Sequence, residues 1–394
     1  MNSSPSQDTG SNVTTKPARL YCLDWLRVLA MVGIFLFHNA RLFDVFTDWH
    51  VKNATTGIGP TIIVAFLDGW IMPLFFVLAG AGSYFALRFR NCRQFAVERT
   101  MRLLIPLIFG MLIIVVPQAY FEALSHGEQL GGYNFFQIYG LYIQTLPELN
   151  WFHLWFLAYL FVFSLIALPV FLPFGKGSRS IIARVAAIFN KPWTLLPLLV
   201  ISIAVIDILI MPTGFWGHRS SGGWNIVSYI FFFVLGYLLF SDTRLLEIVK
   251  RLRWYLLGAG IILSGLSLVF VDQFTEAANY FGTASYNLAH LVRSMNSWAW
   301  MLAFIGIATR FFNFNNRFLG YAGEAVLPFY VLHQTVIISI SFYVVQWDMG
   351  VTPKYFIISA TSFIGIMVIY ELLVKRIKPL RFLFGMRLAR RKNA

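Results

Sequence analysis

The chain has few charged residues and few cysteines for its length. Only 12% of the 394 residues are charged, about half the share of soluble domains, and 58% are hydrophobic. This composition excludes an ordinary soluble protein and favours one polytopic bundle of membrane helices. The two cysteines, Cys22 and Cys92, fall near the same predicted membrane face, so we expect free thiols without a disulfide or a metal role.

Acidic residues are scarcer than basic ones, which leaves a formal net charge of +14. A basic balance can indicate nucleic acid, but no soluble basic domain is present to bind it, so we expect no nucleic-acid partner. The basic residues lie instead in short loops and in the C-terminal tail, as topology signals do. The histidines show no metal-ligand spacing on one helix, so we also expect no metal site.

The hydrophobic pattern predicts an all-α fold with about ten transmembrane helices. Residues 1–18 lack an apolar run and are predicted to be a disordered cytoplasmic tail, followed by a membrane domain over 19–376. Residues 377–394 are predicted to be a basic cytoplasmic tail that lies against the lipid headgroups. The predicted spans are 23–43, 61–87, 103–121, 151–172, 193–211, 224–241, 254–271, 291–312, 326–346 and 355–374.

The loops predict the orientation of the bundle. Most of the 31 basic residues fall in segments on the side of the N-terminus, and few fall in the opposite loops. Because basic loops stay in the cytoplasm, this asymmetry favours an even number of spans with both termini cytoplasmic. We expect a multi-pass protein of the cell inner membrane.

The first predicted span is apolar on most of its surface but carries Asp24, Arg27, His38 and Arg41. Arg27 and His38 are eleven residues apart, about three turns, so they lie on one face and ~16 Å apart along the axis. A charge at mid-membrane costs roughly 2.5–3.5 kcal/mol, so this face is expected to point into the protein. The stripe has two interpretations. Asp24 and Arg27 form a packing ion pair with His38 as an interhelical donor, or His38 is a general base and Arg27 binds phosphate or carboxylate.

Other motifs place polar groups near the two membrane faces. His153 lies in WFHLWFL, and Glu324 and His333 lie in GEAVLPFYVLH. The inner basic run, with Arg88, Arg99 and Arg102, either sets the topology or captures a phosphorylated ligand. The small residues of the PLFFVLAG stretch allow close approach of a helix or of a ligand, and helix packing alone is sufficient to explain them.

Taken together, these motifs resemble the acyltransferase 3 family of multi-span membrane proteins. In the family's order, from residue 20 to about 340, they are LDWLRVLAMVGIFLFH (the R-x10-H motif), PLFFVLAG, VERTMRLLIP, HLWFL, FFFVLGYL and GEAVLPFYVLH. The runs DWHVKNAT and LRFLFG are most similar to the branch that succinylates periplasmic glucans. Ala79 stands where the family usually has Ser, and Ala325 where a small hydroxyl residue is common.

The resemblance implies transfer of an acyl group, succinyl or acetyl, from cytoplasmic acyl-CoA to a sugar hydroxyl across the membrane. His38 is then the expected base, and Arg27 the expected donor-binding or charge-stabilising group. We expect acyl-CoA as co-substrate without a further cofactor, donor contacts from Arg88, Arg99 and Arg102, and a carboxylate, Asp44 or Asp68, beside His38. The expected supporting residues are Asp24, Arg41, Asp44, Asp68, His153, Glu324 and His333.

Two other functions fit the same residues. A transporter or flippase of an anionic glycan or lipid would bind its substrate with Arg27, Arg41 and Arg293 and relay protons through the histidines. A non-catalytic partner of a glycan-synthesis complex would need only the packing interactions.

Overall fold

The structure is a computed structural model that describes most of the chain. The described residues are 20–46, 48–127, 134–145, 151–172, 180–213, 216, 219, 222–270, 273 and 280–386. The predicted N-terminal tail and the last eight residues of the predicted basic tail lie outside them.

Every regular element in these ranges is helical, which confirms the all-α prediction. Helix α1 covers Tyr21–Ala40, and π-helical turns cover Thr100–Leu104, Gly110–Ile114 and Tyr370–Val374. The other α-helices are α2 Ile58–Asp68, α3 Ile71–Leu87, α4 Cys92–Arg99, α5 Ile105–Phe109, α6 Val116–Ser125, α7 Phe135–Thr145, α8 Trp155–Ile166, α9 Leu168–Phe171, α10 Ile181–Ile188, α11 Pro192–Leu209, α12 Ile226–Ser241, α13 Thr243–Val269, α14 Ala284–Phe311, α15 Arg317–Val344, α16 Val351–Ile369 and α17 Lys378–Leu383.

The chain is a multi-pass membrane helix bundle. Within the described residues, 6 helices are long and apolar enough to cross a membrane, or up to 7 if a pair bent by 44° before Pro117 counts as one span. The predicted spans 151–172 and 224–241 correspond to shorter apolar helices, and 291–312 lies in α14, which is not among the six. Ten spans therefore remain a prediction. The six are Tyr21–Ala40, Ile58–Leu87, Pro192–Leu209, Thr243–Val269, Arg317–Val344 and Val351–Val374.

Helix α1 lies among several other helices. It packs against α2, α3, α14, α15 and α16. Its exposed residues, Leu29, Val32 and Leu36, follow a helical spacing and form one apolar stripe. Asp24 and Arg27 instead line an internal cavity, and His38 contacts another helix, so the polar face points inward.

Helices α3 and α12 approach each other closely at two glycines. A Cβ atom at Gly80 would lie 2.0 Å from the Phe233 carbonyl oxygen, and one at Gly236 would lie 2.2 Å from the Val77 carbonyl oxygen. Neither position tolerates a side chain, so the small residues around Gly80 serve helix packing. The same packing holds Ala79 and Gly82 on the side of α3 that lines the cavity.

Candidate active site

Two histidines from distant parts of the sequence meet within the bundle. The Nδ1 atom of His38, near the end of α1, lies 2.9 Å from the Nε2 atom of His333 in α15. The Nδ1 atom of His333 lies 2.6 Å from the carbonyl oxygen of Tyr330, one turn earlier in the same helix. The three groups form a hydrogen-bonded chain, Tyr330 carbonyl, His333 and His38, which we call the histidine relay.

The chemistry of these groups determines the tautomer of each neutral ring. A carbonyl oxygen only accepts, so Nδ1 of His333 carries the proton and its Nε2 accepts. Nδ1 of His38 must then donate to His333, which leaves the lone pair of His38 on Nε2. No described side chain takes that lone pair. Because His38 is only partly buried, its Nε2 is suited to accept a proton from a substrate.

A third histidine lies beside the relay. The ring of His153 is 5.2 Å from that of His333, centroid to centroid. Its Nε2 donates to the carbonyl oxygen of Val331 at 3.1 Å, and Nδ1 is buried without a described partner. The hydroxyl of Tyr330 donates to the His153 carbonyl oxygen, which ties the start of α8 to α15. The preceding residue, Phe152, has a left-handed backbone with φ of 45°, a strained conformation that sets the direction of His153.

A cavity of about 920 Å³ leads from one end of the bundle towards the relay. We call that end, where α1 begins, the inner end. The cavity walls include Leu20, Asp24, Arg27, Arg99 and Arg102 at the inner end. They also include Met31, Met72, Phe156 and Tyr330, and Tyr330 is the residue whose carbonyl oxygen begins the relay. The cavity therefore joins the basic end of the bundle to Tyr330, whose carbonyl oxygen contacts His333.

Arg27 belongs to the cavity wall and not to the relay. One guanidinium nitrogen lies 3.2 Å from the Asp24 carboxylate, and the other donates to the Leu78 carbonyl oxygen at 3.2 Å. A Cβ atom at Gly82 would lie 2.8 Å from this guanidinium, so glycine makes room for it. The ion pair and the interhelical contact of His38 also match the packing interpretation. The cavity and the open lone pair are what that interpretation leaves unexplained.

Of the three arginines singled out in the inner basic run, two line the cavity and Arg88 does not. Arg99 donates to the Ser83 hydroxyl at 3.0 Å, and Arg102 lies 3.7 Å from Glu98. Both line the cavity, together with Arg90, which the sequence did not single out. Arg88 is exposed, with its guanidinium 5.8 Å from the Tyr84 ring, and is not part of the cavity wall.

Neither of the two carboxylates that were expected beside His38 forms a described hydrogen bond with it. Asp44 is fully buried and pairs with Arg41 at 3.0 Å and with Lys52 at 3.0 Å. Asp68, at the end of α2, lies near Gly223, where an added Cβ atom would be 3.2 Å from its carboxylate. The described partner of His38 Nδ1 is an imidazole and not a carboxylate. Asp44 is thus held by two cations, and its ion pair with Arg41 orders the loop after α1.

Glu324 lines the inner end of the cavity and pairs with Arg381 at 2.7 Å, which fastens α17 to α15. Across the described ranges, no three side chains of His, Cys, Asp or Glu are grouped as metal ligands would be. Cys22 is a buried free cysteine and Cys92 an exposed one.

The sequence did not single out a second buried polar cluster. Asp207 of α11 is fully buried and contacts His290 Nδ1 at 2.7 Å, Arg219 at 3.1 Å and the Asn225 amide at 3.0 Å. Arg293 lies 3.9 Å away and stacks over Trp224 at 4.2 Å. The available sequence signal was Asp207, a single acid within the apolar span 193–211. An acid at such a position needs a polar partner, so it predicts a buried polar contact.

The family comparison agrees with a membrane acyltransferase site. The acyltransferase domain model of the acyltransferase 3 family matches residues 20–371, and the chain belongs to this family. The matched region contains α1, the relay and the cavity wall up to Leu327 and Tyr330. The protein is therefore an O-acyltransferase with several membrane helices.

Curated relatives align over nearly the full chain. The chain is similar to the glucans biosynthesis protein C of Salmonella paratyphi B, of Salmonella enteritidis and of Salmonella gallinarum. Each is 26% identical over 379 residues, which cover 93% of this chain and 94% of the relative. No solved structure matches the chain.

Proposed function

We propose that the protein transfers an acyl group, succinyl or acetyl, from cytoplasmic acyl-CoA to a hydroxyl of a periplasmic or cell-surface glycan. The observation that carries this proposal is the histidine relay, whose first residue, Tyr330, lies in the wall of an arginine-lined cavity. The glucan named in the relatives supports the class of acceptor. The location is the cell inner membrane, with about ten spans and both termini in the cytoplasm.

The donor binds from the inner end. Arg99 and Arg102 hold the CoA phosphates, because guanidinium groups suit phosphate oxygens. Arg27 lies in the same wall, further into the bundle, and binds the donor or stabilises the charge that develops on it. The acyl-pantetheine arm fills the apolar part of the cavity and brings the thioester towards Tyr330 and His38.

The transfer step uses His38 as general base. The acceptor hydroxyl gives its proton to Nε2, and its oxygen forms an ester bond with the acyl carbon. The carbon–sulfur bond breaks, and the departing thiolate takes the proton from the imidazolium. His333 supports the charged ring because its Nε2 accepts from His38 Nδ1 throughout, and the Tyr330 carbonyl fixes His333 in turn.

Purified protein in lipid nanodiscs tests the activity directly. Acyl-CoA with a radiolabelled acyl group is incubated with a glucan oligosaccharide, and labelled oligosaccharide is expected. Mass spectrometry of surface glycans from cells with and without the gene then identifies the acyl group and the acceptor. Thioester consumption without any labelled saccharide would contradict the proposed acceptor.

Reporter fusions test the orientation. A reporter that is active only in the cytoplasm is expected to be active after Lys392 and silent at Gly127. The reason is the distribution of basic residues between the two sides. An active reporter at Gly127 would contradict the ten-span topology.

The transporter alternative has less support. Of its three arginines, Arg27 lines the cavity, whereas Arg41 pairs with Asp44 and Arg293 lies beside Trp224 and Asp207. A transporter would take up labelled glycan into proteoliposomes without acyl transfer.

A further inference from the structure

A group of polar side chains surrounds His50, on the opposite side of the relay from the cavity. His50 follows α1 in the chain, Gln118 and Glu122 belong to α6, and Gln334 directly follows His333 in α15. Nε2 of His50 lies 2.7 Å from the amide nitrogen of Gln334 and 3.3 Å from that of Gln118. Nδ1 of His50 lies 2.8 Å from the Glu122 carboxylate. We call these four residues the outer polar cluster.

The hydrogen bonds of this cluster are incomplete. The two amide nitrogens share one imidazole lone pair, which accepts one good hydrogen bond. Gln118 is fully buried, and its amide oxygen has no described partner. An unfilled buried acceptor costs about 1–3 kcal/mol, so the geometry favours a bound group with hydroxyl donors.

The cluster is next to the proposed base. The Trp49 ring stacks on His38 at 5.8 Å with an interplanar angle of 10°, and it lies 5.1 Å from the His50 ring. Trp49 is thus in contact with both the relay and the cluster. The partly buried Trp49 ring is suited to the apolar face of a sugar ring. The amides of Gln118 and Gln334 and the carboxylate of Glu122 are suited to the hydroxyls of that sugar.

The charge of the cluster selects among possible ligands. The amide N–H groups of Gln334 and Gln118 only donate, so Nε2 of His50 accepts and the proton of the ring lies on Nδ1, 2.8 Å from the Glu122 carboxylate. The full charge of the cluster is then the negative carboxylate of Glu122, whose side chain is 27% exposed. A carboxylate accepts from neutral hydroxyls and repels an anion, so the cluster favours a neutral polyol.

We propose that His50, Gln118, Glu122 and Gln334, with Trp49 beside them, form the subsite that binds the hydroxyls of the acceptor saccharide. This inference rests on the proposed function. The subsite lies across the relay from the donor cavity, so a hydroxyl held there reaches His38 from the side opposite to acyl-CoA.

The test compares acceptor and donor kinetics in Glu122→Gln and Gln334→Ala. Radiolabelled acyl transfer to a glucan oligosaccharide of about seven units is measured in nanodiscs over a range of each substrate. The KM for the oligosaccharide is expected to rise about tenfold or more in both variants, while the KM for acyl-CoA stays within about twofold of wild type. Gln346→Ala is the matched control, because this glutamine is exposed and donates only to the Phe342 carbonyl oxygen of its own helix end.

The outcomes separate this inference from the proposed function. Transfer with an unchanged oligosaccharide KM in both variants would overturn the subsite and leave the proposed function standing. Equal rises in the KM for the oligosaccharide and the KM for acyl-CoA, together with a lower unfolding temperature, would have the same meaning. Wild-type protein that acylates no glucan would overturn the proposed function, and the subsite with it. Gln118→Ala provides a third variant where either of the others fails to fold.

Discussion

His38 and His290 both lie in polar clusters inside the bundle, yet their ring nitrogens are used differently. His290 is 3% exposed; its Nδ1 contacts Asp207 at 2.7 Å, and its Nε2 lies 3.2 Å from an Arg219 guanidinium nitrogen, which donates to it. His38 has one nitrogen against His333, and its Nε2 lone pair has no described partner. A histidine with both nitrogens engaged is suited to holding helices together, whereas one with an open lone pair is suited to moving a proton.

The Asp207 cluster therefore has a structural purpose. It joins α11 to α14 and to the segment before α12, through contacts of Asp207 with His290, Arg219 and the Asn225 amide. The relay joins α1 to α15 but leaves the Nε2 lone pair of His38 without a described partner. Four predictions test this contrast.

The first prediction is that His38→Ala abolishes transfer, with a loss of about 10²–10⁴-fold or more in kcat, because the base is absent. His38→Gln is expected to be nearly as inactive, since an amide forms hydrogen bonds but does not take the proton. Radiolabelled transfer measures the rate, and expression and acyl-CoA binding are expected to stay close to wild type. Substantial activity in either variant would indicate that the general base is His153 or His333. Loss of expression in both variants would favour the packing interpretation.

The second prediction concerns the structural cluster. Asp207→Ala is expected to lower the free energy of unfolding by about 3–5 kcal/mol, because it leaves two partly buried arginines and a buried histidine without their acid. Transfer per folded molecule is expected to remain near wild type. Thermal unfolding in detergent measures the stability, and Glu247→Gln is the control, because the Glu247 side chain is 54% exposed in its pair with Lys250. Normal stability together with lost transfer would reverse the assignment of the two clusters.

The third prediction concerns the partner of the base. His333→Ala is expected to reduce kcat about 10–100-fold, because His38 loses the acceptor that fixes its tautomer. His333→Gln is expected to recover part of the rate, since its amide oxygen accepts from His38 Nδ1. Single-turnover rates over a range of pH measure this effect, with His290→Gln as the matched histidine variant. Equal losses of rate in the alanine and glutamine variants of His333 would contradict a positioning role for this residue.

The fourth prediction concerns the inner end of the cavity. Replacement of Arg99 and Arg102 by Gln is expected to weaken apparent acyl-CoA affinity about five- to tenfold and to make it less sensitive to salt. Arg88→Gln is the control, since that guanidinium is exposed and away from the cavity wall. Affinity and salt dependence that equal wild type would assign Arg99 and Arg102 to topology alone.

Much of the architecture could be predicted from the sequence. The apolar runs predicted helices, and the polar stripe of the first span predicted that Arg27 and His38 face the interior. These properties depend on residues within a few turns of each other, so a single segment carries the necessary information. The ordered motifs likewise indicated the acyltransferase 3 family, because they are local strings of residues, and the family comparison confirmed it.

The partners of the polar groups depended on the tertiary structure. His38 and His333 are 295 positions apart in the chain, and no local pattern relates them. The choice of an imidazole over Asp44 or Asp68, the position of Arg88 outside the cavity wall, and the closure of the Asp207 cluster all follow from how helices pack side by side. Side chains on separate helices meet only after packing sets the rotation of each helix, and the favoured packing is one in which most buried polar groups have a partner.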